Sequence, residues 1–132
     1  MSTCFLWSML FIAQASQFVP VANNSEIMKV FVEPASNEVF NVGLGIPDTD
    51  EGWKTVEDNA IILGESANLL LLPERAEGRD GWIESAQALA EASRRSLELA
   101  RSHSDDVDAW FDLADELLLT CSACHDAYWL VD

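Results

Sequence analysis

Basic side chains are scarce in this chain. Its 132 residues hold 7 Lys and Arg against 23 Asp and Glu, a formal net charge of −16. Such a surface repels nucleic acid and anionic membranes, which are themselves polyanions. It favours a basic partner protein, whose approach it would steer over roughly a Debye length, about 8 Å at 0.15 M salt. The shortage is complete over 1–24, which carry no Asp, Glu, Lys or Arg. Histidine is almost absent as well, with only His103 and His125. A run of about 20 apolar residues, the length that spans a bilayer, is missing. Alternating Val, Ile and Thr segments of the kind that form strands are also missing. Three cysteines, Cys4, Cys121 and Cys124, are an odd number and close no disulfide framework.

Hydrophobic residues make up 49% of the sequence, enough to build the core of one domain. The apolar run at 5–15 has the length of a secretory signal core, and two small-x-small sites follow, Ala13-Gln14-Ala15 and Val21-Ala22 before Asn23. It departs from the usual pattern in lacking Lys or Arg ahead of it. The expected organisation is a removed signal peptide over 1–22 and one domain over 23–132, with no stable membrane insertion once the leader is gone.

The remainder reads as helices. The first is expected over 25–42, with Met28, Val32, Ala35, Val39 and Val42 on one stripe and Pro34 as a kink or a true start. The second, 50–72, places Trp53, Val56, Ala60, Leu63, Ala67 and Leu70 on a stripe, with Asp48 and Glu51 as a capping pair. The third, 81–102, has Ile83, Ala86, Ala90, Ser93, Leu97 and Ala100, with Asp80 as its cap. The fourth, 105–128, has Trp110, Ala114, Leu117, Cys121, Cys124 and Tyr128. The fold class expected is all-α, an antiparallel four-helix bundle. Trp53, Trp82 and Trp110 read as core packing, and His103 as a solvated turn residue.

The chemistry concentrates at Cys121-Ser122-Ala123-Cys124-His125, the C-x-x-C-H attachment sequence of haem c. Residues three and four apart on a helix share a face. Two thiols so spaced can reach the vinyl groups of one porphyrin edge, and His125 can turn an imidazole nitrogen to the iron. With so few cysteines and histidines, this pattern arises by chance in roughly one chain in a thousand. A thioredoxin-like C-x-x-C requires a strand-to-helix turn that the pattern does not offer. A zinc site requires four ligands, but the only other histidine is His103 and there is no second cysteine pair.

A helical bundle with C-x-x-C-H near its C-terminus resembles the class II c-type cytochromes, the cytochrome c′ group. The resemblance covers about 25–130, and only the haem motif is sharp. It implies an exported, periplasmic protein with one covalent haem c on the last helix. Cys121 and Cys124 would be the thioether residues, and His125 the proximal iron ligand. In that family a first-helix side chain faces the distal side of the iron, apolar in high-spin members and methionine in low-spin ones. Met28 is then the distal candidate, and Phe31 the apolar alternative. Arg75 is a candidate partner for a haem propionate, or else an ordinary surface arginine. The expected function is one-electron transfer with a basic redox partner, a second copy of the chain being another candidate partner. The alternative is a gas-binding haem protein with an open distal site. No enzymatic role is expected, because no distal acid–base pair of the kind peroxide chemistry needs can be nominated.

Overall fold

The computed structural model describes residues 18–76 and 80–128. The leader expectation for 5–15, Cys4, and the processing site at Ala15 lie outside the described residues. Among the described residues every regular element is helical, and no helix is long and apolar enough to cross a membrane.

The first helical stretch is composite. Helix α1 (Asn24–Ile27) runs through a π turn (Met28–Val32) into α2 (Glu33–Asn41) and a 3₁₀ turn (Val42–Leu44). Asn23 starts it with a reciprocal cap: its side chain accepts from the Glu26 N–H at 2.8 Å, and the Glu26 carboxylate accepts from the Asn23 N–H at 2.8 Å. Three longer helices follow, α3 (Asp50–Leu70), α5 (Asp80–Arg101) and α6 (Val107–Tyr128), with a single-turn α4 (Pro73–Ala76) between α3 and α5. The cap of α3 is Thr49, whose hydroxyl accepts from the Gly52 N–H at 3.1 Å, and not the expected Asp48. Thr49 has the extended backbone a cap requires, one residue nearer the helix. The carboxylate of Asp106 accepts from the Ala109 N–H at the start of α6.

The α3 stripe is buried as expected, from Trp53 through Val56, Ala60, Leu63 and Ala67 to Leu70. Helix α5 differs. Its buried residues include Trp82, Ala86, Leu89, Ser93, Ser96 and Ala100, while Ile83, Ala90 and Leu97 stand half-buried one position away. The helix is turned so that Ser96 faces the core beside Ser93, which the expected stripe already held. Ser93 and Ser96 donate their hydroxyls to the carbonyls of Leu89 and Ala92, at 2.6 and 2.9 Å, so neither is buried unsatisfied. Small side chains are needed here because α3 comes close. A methyl group on Gly64 would sit 3.3 Å from Ser93 Cβ.

Helices α3 and α5 run antiparallel. Arg101 near the end of α5 lies 3.9 Å from Glu57 near the start of α3, while Trp82 at its beginning donates to the Leu70 carbonyl at 2.8 Å. Along α6, Trp110, Leu113 and Leu117 fill the core, and Arg95 pairs with Glu116 across the α5–α6 seam. The other α6 seam, against the first helical stretch, is closed at one end. There the Phe111 ring packs 3.4 Å from the position a Gly43 Cβ would take. The core at this end is aromatic: Trp110 lies against Trp53, and its indole N–H donates to the Ser104 carbonyl at 2.9 Å. His103 is exposed, but its ring is not merely solvated. It stacks on Trp53 at 5.2 Å between centroids and 8° between planes.

Candidate functional site

At the opposite end of the molecule, the same seam opens into a cleft. Met28 and Val32 form one wall, Leu70 and the first half of α5 form its floor, and the last turns of α6 form the other wall. From α6 come Thr120, Cys121, Cys124 and His125, so three motif residues border one space. Their common face follows from helix geometry: positions 121, 124 and 125 fall within one turn. The cysteines are half-buried and His125 is exposed. The expected stripe through Cys121 and Cys124 is therefore met only in part, because it leaves the core at Leu117 and continues as the cleft wall.

Nearly all the surface inside the cleft is apolar, from Val32, Leu70, Trp82, Ala86 and Leu89. This raises both thiols above the usual cysteine pKa of 9.0, chiefly because burial disfavours the thiolate. For Cys121 the neighbouring Cys124 adds to the effect, whereas a hydrogen bond from the Ser85 side chain opposes it at Cys124.

An aromatic pair closes the floor. Trp82 meets Tyr128 edge-on, with centroids 5.8 Å apart and planes at 78°. The Tyr128 hydroxyl oxygen lies 3.2 Å from where a Gly81 Cβ would be, so the close approach of the α6 end to α5 depends on that glycine. The cleft also holds Trp82, Ser85 and Thr120, which the sequence does not single out as site residues. Their contribution arises from how α5 and α6 face each other, which no local spacing records.

The remaining candidates separate. Met28 is half-buried on the cleft wall. Phe31 is 42% exposed and takes no part in the cleft; Val32 stands there beside Met28. Arg75 is neither a surface arginine nor a residue of the cleft. It is buried, and its guanidinium donates to Asn24 Oδ1 at 2.8 Å and to the Ala22 carbonyl at 2.9 Å.

Among the described residues no group of three or more His, Cys, Asp and Glu side chains converges as a protein-only metal centre would require. The donor set instead fits a haem group, which brings its own nitrogens and asks the protein for two thiols, an imidazole and an apolar enclosure. Room is the remaining condition. The cleft measures about 50 Å³, below the roughly 300–1,000 Å³ of small-molecule sites. No family model, curated protein or solved structure matches the chain.

Proposed function

We propose that this chain is an exported, periplasmic haem c protein of the cytochrome c′ kind. In this reading it is an antiparallel four-helix bundle with one covalent haem on its last helix, working in one-electron transfer. The observation that carries the reading is the coincidence of motif and cleft. A C-x-x-C-H sequence stands on the wall of an apolar cleft, with Met28 on the facing wall.

When bound, the haem supplies an iron centre that exchanges single electrons. The chain's own residues then have distinct tasks. Cys121 and Cys124 would hold the group covalently through two thioether bonds. His125 offers an imidazole nitrogen one turn beyond Cys121. Val32, Leu70 and Leu89 exclude water, which keeps the local dielectric low.

The outer surface adds the partner. Helix α6 carries Asp108, Asp112, Asp115, Glu116 and Asp126 and no Lys or Arg. A basic redox protein is thus drawn towards the very helix that bears the motif. The gas-binding reading keeps one supporting observation, that Val32 stands beside Met28 and could face the iron in its place.

The Met28→Ala variant separates the two. With Met28 as sixth ligand, the wild type is low-spin and binds carbon monoxide slowly, and the variant becomes high-spin and binds it rapidly. An unchanged spectrum and rate in the variant would reject Met28 ligation and favour the open-site, gas-binding form.

A further inference from the structure

The π turn at Met28–Val32 is the one irregularity in the first helical stretch that bears on the cleft. Turns of this kind are rare and concentrate at functional sites. Its cause lies just downstream. In a continuous α-helix the residue at 34 would donate to the Val30 carbonyl, but Pro34 has no N–H, and its ring would press on that carbonyl. Widening the preceding turn removes the conflict, and the Glu33 N–H bonds instead to the Met28 carbonyl, five residues back.

The wider turn changes which side chain enters the core. Residues five apart on an α-helix stand about 140° apart around the axis, and the wider i→i+5 turn narrows that offset, bringing them nearer to one face. The buried residues of the first stretch include Ile27, Val32, Ala35, Val39 and Val42, so the first step is five. Ile27 is 2% exposed. Met28, which an uninterrupted α-helix would place on that stripe, is instead half-buried on the cleft wall with Cys121, Cys124 and His125.

We propose that Pro34 is a positioning residue: by holding the π turn, it commits Ile27 to the core and turns the Met28 thioether out to the cleft. Its effect on Met28 stands without any cofactor. Its consequence for iron coordination rests on the haem reading above.

Pro34→Ala tests this at an exposed position where alanine favours the helix. The variant should relax to a continuous α-helix. The substitution restores a backbone amide at that position, which then becomes protected from hydrogen exchange through a new bond to the Val30 carbonyl. The Ile27 methyl signals become accessible to a soluble paramagnetic agent from which they are shielded in the wild type. In haem-bearing protein, measured alongside, the variant loses the low-spin spectrum although Met28 is still present. Shielded Ile27 methyls in a folded variant would overturn the proposal, whatever the haem content. A wild-type protein that carries no haem would overturn the functional reading alone, since the Ile27 measurement decides the role of Pro34 with or without the cofactor.

Discussion

Arg75 shows how far a single side chain can depart from its sequence context. It follows a proline at a helix boundary, where a long cation is ordinarily solvated. Here it is buried beneath the segment that leads into α1, and it holds that segment through the Ala22 carbonyl and Asn24. Hydrogen bonds to a charged group contribute about 1.5–3 kcal/mol each to stability. Arg75→Ala should therefore destabilise the fold by roughly 2 kcal/mol, because the Ala22 and Asn24 oxygens lose their donor. Amide exchange should also quicken across Asn24–Ile27, ahead of the rest of the chain. Exchange that is uniform with the wild type would show that the arginine does not hold this segment. Nothing in the sequence marks Arg75 for this part, since its partners lie more than fifty residues away. Cys121, Cys124 and His125 are the opposite case. Their grouping on one helix face is carried by spacing within five positions, so it is readable without any knowledge of the fold.

At the scale of the helix, legibility follows how purely apolar the buried face is. On α3 it is apolar but for Ser66, and every stripe residue read from the periodicity is buried. On α5 the face includes Ser93, which the expected stripe held, and Ser96, which it did not; both hydroxyls are satisfied by their own helix, and the expected stripe misplaces Ile83, Ala90 and Leu97 by one position. In the first helical stretch the obstacle is Pro34. The 3.6-residue period expected for an α-helix puts Met28 on the stripe, and the π turn gives that place to Ile27. Helix α6 combines both behaviours. Its first half is core, and its second half is cleft wall. Leu117 is the hinge point, fully buried one turn before Cys121. Leu117→Ala should lower stability by about 2–5 kcal/mol, since it removes buried methyl groups and leaves a cavity. Urea denaturation measures this, and a loss below about 1 kcal/mol would show that the α6 core is loosely packed.

For the whole molecule, two asymmetries matter. The α6 seam with the first helical stretch is closed at the Gly43–Phe111 end and cleft-bearing at the other, where the C-x-x-C-H motif lies. The charge is strongly negative. Among the described residues, Lys54, Arg94, Arg95 and Arg101 pair with carboxylates and Arg75 is turned inward, so little positive charge offsets the acidic surface. A redox role for the chain depends on covalent haem at the open end of that seam. The most direct measurement is the intact mass of the protein, denatured and reduced, after expression in a host that matures c-type haem, beside a c-type control made in the same cells. The account predicts the mass of the chain plus one haem, with the added mass absent when Cys121 and Cys124 are both changed to alanine. A wild-type chain that carries no added haem mass, while the control carries it, would contradict the account.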